Sequence, residues 1–310
     1  MGANLREIDM KIGIGIDVEA PFEQLLATSR ELFDAGFTSQ WASQIFGPDT
    51  LTTFAVLGHA IPGIDLGTAV VPIQPRHPAM LGAQARTVQS LMTGRLNLGI
   101  GLSHQIVVEG LWGLSYERPA SYMREYLAAL APILRGEAVS VTGERVSATT
   151  MGTVGPKETV APRLLVAALG PKMLEMTAQL ADGTCTWMTG EETIRSYVAP
   201  TINAAAEAAG RARPEIVCAL PILVTDEVAA TRAFIDQALA VYPTLPSYAA
   251  MMEREGATTA SDLSIVGSEQ QVLEKLAALA DAGVTEFSAN IMGVGAQREA
   301  TLAALSRFRA

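Results

Sequence analysis

Apolar residues recur along this chain in two alternating rhythms. Short blocks such as 11–16 (KIGIGI), 65–71 (DLGTAVV) and 96–100 (LNLGI) are apolar throughout or at every second position. Between them run longer stretches with apolar residues three and four apart, as at Phe22, Leu25, Leu26, Leu32 and Phe33, closed by Gly36. The first rhythm predicts strands and the second amphipathic helices that stop at glycine. Followed to the end, the pattern predicts strands at 11–16, 39–42, 65–71, 96–100, 164–168, 184–188, 215–224 and 286–290. Helices are predicted at 22–34, 50–59, 79–91, 122–134, 172–180, 192–209, 227–240, 247–255, 269–282 and 297–308.

Strands joined through helices and short loops pair in parallel. Eight such units in one chain favour a closed α/β structure, a (β/α)8 TIM barrel, over two Rossmann-like halves. One segment breaks the rhythm. Residues 138–162 are rich in Thr, Val and Gly, with alternation at Val139, Ser140, Val141 and Thr142 and a turn at Gly143 and Glu144. They read as a hairpin and irregular loop inserted after the fourth strand.

Size agrees with this reading. A barrel typically takes about 250 residues, and 310 residues, 49% of them hydrophobic, leave room for the insertion and for a loose N-terminal extension at 1–9. The whole of 1–310 is expected to be a single domain. The formal net charge of −10 argues against a general polyanion binder, so no nucleic acid is expected. Residues 1–9 carry no apolar signal-peptide core, and no uncharged apolar run reaches the roughly 20 residues of a membrane span. A cytoplasmic protein acting on a small-molecule substrate is expected. Cys185 and Cys218 read as two buried thiols, without a disulfide framework.

In a barrel of this kind the chemistry lies where strands end and loops begin. That rule selects Trp41, Ser43, Gln44 and Ile45 after the second strand and Thr68, Ala69 and Val70 at the third. It selects Gly101, Leu102, Ser103 and His104 after the fourth, Leu169, Gly170, Pro171 and Lys172 after the fifth, and Trp187 and Met188 after the sixth. Gly99 and Gly101 do not complete a dinucleotide fingerprint, because His104 stands where the third glycine would fall. They serve either a strand-to-loop turn or the close approach of a ligand to the backbone. Gly170-Pro171 opens a helix whose free amides could hold a phosphate beside Lys172, or is ordinary capping.

Of three histidines, His59 falls inside a helix, His77 begins one, and His104 follows the fourth-strand loop, where it could transfer a proton. Their spacing makes no metal site. There is no G-x-S-x-G elbow and no P-loop.

Three blocks resemble the luciferase-like superfamily of flavin- and coenzyme F-420-dependent oxidoreductases, and its F-420-dependent branch in particular. They are Leu66 to Pro72 followed by Arg76-His77-Pro78; Thr93 to Gly101, which resembles S-G-G-R-L-x-L-G-x-G; and Val166 to Lys172 with Ala181-Asp182-Gly183. The resemblance spans about residues 10–308. It implies a bacterial luciferase-like barrel with an insertion after strand four, a homodimer, and a tricyclic cofactor lying across the barrel mouth. It further implies a cis peptide bond at Ala69–Val70 behind the ring. Thr68, Ala69, Val70, Trp187 and Met188 would line the ring. Gly101, Leu102, Ser103, Leu169, Gly170, Pro171 and Lys172 would hold the polar side and phosphate.

The sugar-phosphate dehydrogenases of that branch carry Ser-Asp-His-Phe after strand two, where this chain has Ser43-Gln44-Ile45-Phe46. Their acidic residue after strand four is His104 here. A sugar phosphate is therefore not the expected substrate. His104, Gln44 and Ser43 remain as catalytic candidates, with Trp41 and Ile45 as substrate contacts. The leading expectation is hydride transfer between coenzyme F-420 and an alcohol, carbonyl or activated C=C compound. The alternatives are an FMN-dependent monooxygenase using oxygen, and a cofactor-binding relative without catalysis.

Overall fold

A computed structural model describes residues 10–309, so the extension expected at 1–9 lies outside the described residues. The chain divides into two compact units. Among the described residues the larger comprises Ile16–Cys185 and Ala205–Pro214, and the smaller 10–15, Thr186–Ala204 and 215–309.

In the larger unit the strands Ser39–Ala42, Asp65–Thr68, Leu96–Gly101 and Arg163–Val166 lie side by side and parallel, and Gly183–Trp187 begins beside the last of them. Every residue of Leu96–Gly101 is buried, as a parallel strand covered on both faces requires. The helices start where the sequence supplies caps. Asp49 accepts the Thr52 backbone N–H at 2.8 Å to open Thr50–Ala60. His77 accepts the Ala79 N–H at 3.2 Å, and Pro78 fills the first position of Pro78–Ser90. That helix packs on Pro119–Leu134, which buries Tyr126, Leu127, Leu130 and Ile133.

The expected insertion forms the antiparallel pair Ser140–Thr142 and Ser147–Thr149. The loop beyond it is held by one buried cation. Arg86, 1% exposed, donates to the carbonyls of Val154 (2.9 Å), Leu134 (2.7 Å) and Pro156 (2.5 Å). A buried guanidinium thus meets fixed carbonyl dipoles that satisfy its donors.

In the smaller unit Ile265–Gly267, Glu215–Val224, Glu286–Ile291 and Lys11–Gly15 follow one another as parallel neighbours. Ser268 and Gln271 form a capping box that opens Glu269–Ala282, and Gly283 closes it at φ 108°. Among the described residues no helix is long and apolar enough to cross a membrane.

Three expectations need correction. The third strand is not continuous over 65–71; it stops at Thr68 and resumes as Val71–Pro72. The helix expected at 192–209 is a short turn Glu191–Thr193, a π-helical turn Ile194–Val198, and then Ala199–Ala208. The strand Ile265–Gly267 was not expected, because three residues are too few to show a period.

Candidate active site

The carboxyl ends of the parallel strands in the larger unit are neighbours, and most of the candidate residues follow them. At the break in the third strand the Ala69–Val70 peptide is cis, where the resemblance placed it. Ala69 N–H donates to the Ala42 carbonyl at 2.8 Å, and the Val70 carbonyl accepts the Gln44 N–H at 3.2 Å. Val70 therefore sits between the ends of the second and fourth strands.

The two glycines of the fourth strand provide room. A Cβ on Gly99 would collide with the Thr68 carbonyl oxygen, and one on Gly101 would fall 2.5 Å from Val70 Cγ2 and 3.5 Å from Ala167 Cβ. Thr68 Oγ1 ties the same pair of strands by donating to the Gly99 carbonyl at 2.7 Å. Both glycines serve close packing by atoms of neighbouring elements, and neither has a positive φ. Beyond them Leu102 and Ser103 are half-buried, and Ser103 adopts φ 56°. Its carbonyl accepts the Tyr116 hydroxyl at 3.4 Å. His104 follows at the start of Gln105–Gly110 but does not cap it with its side chain. Burial pulls the His104 pKa below 6.5, so its imidazole is neutral at pH 7.

A polar cluster fixes Gln44. Its Oε1 accepts from Arg76 Nη2 at 3.0 Å and from the Thr50 N–H at 3.2 Å, which leaves the side-chain NH2 as a donor. Arg76 also donates to Asp49 Oδ2 at 3.1 Å and to the Pro72 carbonyl at 3.2 Å. Burial would raise the Asp49 pKa, but hydrogen bonds from Thr52 and the Arg76 charge outweigh it and hold the carboxyl below 3.8. The positions of Asp49 and Arg76 in this cluster were not foreseen. The only sequence signal was the Asp49-to-Thr52 capping spacing, which reports a helix start and not a partner 27 residues away.

Gly170, Pro171 and Lys172 are exposed at the start of Pro171–Leu180, and Leu169 before them is half-buried. No side chain caps this helix, and a Cβ on Gly170 would meet nothing within 4 Å. Free N–H groups at a helix start suit an anionic group. Ser43 and Ile45 are exposed, the latter at 58%. Trp41 is 2% exposed, its indole N–H bonded to Ser39 Oγ at 3.1 Å and its ring filling the space a side chain on Gly67 would need. That packing makes Trp41 part of the interior. His77 is structural too: its second ring nitrogen donates to the Ser147 carbonyl at 2.9 Å.

The candidates Trp187 and Met188 lie in the smaller unit. Met188 is buried with φ 50°. Trp187 is half-buried and stands edge-on to Tyr242, ring centroids 6.0 Å apart. Tyr242 stands in turn 5.0 Å from Tyr248. Neither tyrosine was foreseen, since Tyr242 falls in a short turn between two helices and Tyr248 within the second helix, away from any strand end.

The ends of neighbouring parallel strands thus bring together small residues and an amide fixed by Arg76. The model of the luciferase-like monooxygenase family matches residues 10–286, through both units, and the chain belongs to that family. Its fold is the (β/α)8 barrel of that family, as matches to solved structures show. One relative, from Mycobacterium tuberculosis, is named provisionally as a coenzyme F-420-dependent oxidoreductase. It is 28% identical over 263 residues, covering 76% of this chain and 73% of its own. Among solved structures, an F-420-dependent secondary alcohol dehydrogenase with an F-420–acetone adduct matches at TM-score 0.79 and 14% identity, covering 96% of this chain and 98% of its own. The oxygenating component of the FMN-bound 3,6-diketocamphane monooxygenase of Pseudomonas putida matches at TM-score 0.76 and 14% identity, covering 97% and 98%.

Proposed function

We propose that this chain is a coenzyme F-420-dependent oxidoreductase acting on a small uncharged alcohol, carbonyl or activated C=C compound. The observation that carries the reading is the approach of Val70 to Gly101 at the ends of neighbouring strands, with the uncapped helix start at Gly170 following the next strand. The relative named for F-420 and the F-420-bound alcohol dehydrogenase support the choice of cofactor.

When bound, a deazaflavin supplies a carbon that gives up or accepts a hydride, and the protein supplies position and proton handling. Val70 and the bare edge of Gly101 would form the flat surface behind the ring. The Gln44 NH2, held by Arg76, is a donor oriented before ligand arrives, which spares the reorganisation a free amide would need. Backbone groups of Gly101 to Ser103 would meet the polar edge of the ring. The amides after Gly170 and the Lys172 ammonium would meet phosphate. His104, neutral at pH 7, would take the proton of an alcohol hydroxyl in oxidation and return it in reduction.

A second reading, an FMN-dependent monooxygenase, is favoured by the likeness to the FMN-bound diketocamphane enzyme. Turnover separates the two. Reduced F-420 mixed anaerobically with a panel of ketones and enoates should be oxidised only in the presence of the protein. Oxygen uptake with reduced FMN, without any F-420 oxidation, would overturn the proposal.

A further inference from the structure

A trans peptide unit carries its C=O and the following N–H on opposite sides. Whatever holds the carbonyl therefore aims the N–H, and a run of held carbonyls fixes the outlook of a whole turn. In the loop after the strand Leu96–Gly101, four successive carbonyls are held by donors. The Gly101 carbonyl accepts the Ile73 N–H at 3.1 Å, and that of His104 accepts the Val107 and Val108 N–H groups at 2.9 Å each. Between them the donors are side chains. Gln74 Nε2 donates to the Leu102 carbonyl at 2.5 Å, and the Tyr116 hydroxyl to that of Ser103 at 3.4 Å. Burial raises the Tyr116 pKa above its usual value of 10, so its hydroxyl stays a donor at neutral pH.

Packing alone does not explain Gln74. Its Oε1 is buried without a partner, a cost that a methionine of similar length would avoid. Turning the amide over would set that oxygen against the Leu102 carbonyl, acceptor against acceptor. What glutamine adds at this position is the bond to Leu102. The turn it holds is one the chain resists, for Ser103 adopts φ 56°, which a serine keeps only where its surroundings enforce it. Tyr116 is itself tied back, its N–H donating to Glu109 Oε1 at 3.3 Å. With the Leu102 carbonyl taken by Gln74, the Ser103 N–H points away from Gln74, and among the described residues it makes no hydrogen bond.

We infer that Gln74 and Tyr116 are positioning residues: by holding the Leu102 and Ser103 carbonyls they keep the turn left-handed and aim the Ser103 N–H at an acceptor atom on the edge of the bound tricyclic ring. This deepens the proposed oxidoreductase reading and rests on it for the presence of the ring. Both residues act through the backbone of the turn, and they set with it the peptide plane from which His104 departs.

The first measurement needs no cofactor. In protein labelled with 15N-serine, the Ser103 amide is identified by its loss in Ser103→Ala, and a positive φ gives it a strong cross-peak to its own Hα. Gln74→Met and Tyr116→Phe should each reduce that cross-peak toward the intensity of serines in extended segments. The urea midpoint of Gln74→Met should stay at the wild-type value, since the unpaired oxygen leaves together with the bond. An unchanged cross-peak in both variants would overturn the inference. The second measurement is titration with F-420 and with FMN. Whichever ring the wild type binds should bind about 5-fold more weakly to each variant, in line with one neutral hydrogen bond. Unchanged affinity in a variant whose turn has relaxed would overturn the inference and leave the cofactor reading intact. Failure of the wild type to bind either ring would overturn both. Should Gln74→Met not fold, Tyr116→Phe, which removes a single oxygen atom, gives both measurements.

Discussion

Val70 and Gly101 share one space. The Val70 Cγ2 methyl lies where a side chain at Gly101 would begin, 2.5 Å from the position of its Cβ, and Ala167 closes the far side at 3.5 Å. The surface offered to a ligand at the ends of the third and fourth strands is thus set by which of the two residues has a side chain.

Gly101→Ala should force Val70 to move, because a methyl group cannot be accommodated at that distance. Overpacking of this kind costs roughly 1–3 kcal/mol. Urea unfolding should show a loss in that range, and affinity for F-420 should fall about tenfold as the ring surface shifts. Wild-type stability and affinity in Gly101→Ala would mean that Val70 is not confined as described.

His104 should govern the acid side of the rate profile. Burial depresses its pKa below 6.5, so the imidazole is neutral at pH 7 and becomes protonated only as pH falls through that lowered value. Protonation removes the acceptor for an alcohol proton. Alcohol oxidation measured as kcat/KM should therefore decline on the acid side, below about pH 6.5. His104→Gln should lower the rate by about 100-fold and flatten that limb. An acid limb persisting unchanged in the variant would assign it to another group.

Asp49 should contribute to acid stability in the opposite sense from a buried neutral carboxyl. Hydrogen bonds from Thr52 and the charge of Arg76 prevail over burial and hold its folded pKa below 3.8. Its stabilisation is thus complete above the unfolded value and is lost as pH falls through the folded one. In urea unfolding across pH, the gap between wild type and Asp49→Asn should be widest near neutrality and close below about pH 4. A gap independent of pH would show that the charge of Asp49 contributes nothing and that only its capping geometry matters.

The barrel was legible because its signals are local and repeated. Leu96, Leu98 and Ile100 recur at every second position of a buried strand, and Phe22 to Phe33 keeps helical spacing because one face is buried. The break after Thr68 was visible only through family resemblance, since Ala69 and Val70 have strand-like side chains and the interruption is a backbone matter. Side-chain direction was least legible. Trp41 stood at a strand end like a ligand contact, yet its ring fills the space left by Gly67 on the next strand. The hold of Arg76 on Gln44 joins residues 32 apart, and no local spacing records such a pair. Tyr242 was hidden for a similar reason: it sits in a short 3₁₀ turn without period, where only the fold brings it to Trp187.

The measurement that bears most directly on the cofactor assignment is a side-by-side titration of the purified protein with F-420 and FMN, followed by fluorescence at fixed salt. F-420 should bind at least about ten times more tightly, a difference of about 1.4 kcal/mol. Equal affinities, or tighter binding of FMN, would contradict the assignment of a deazaflavin to this site.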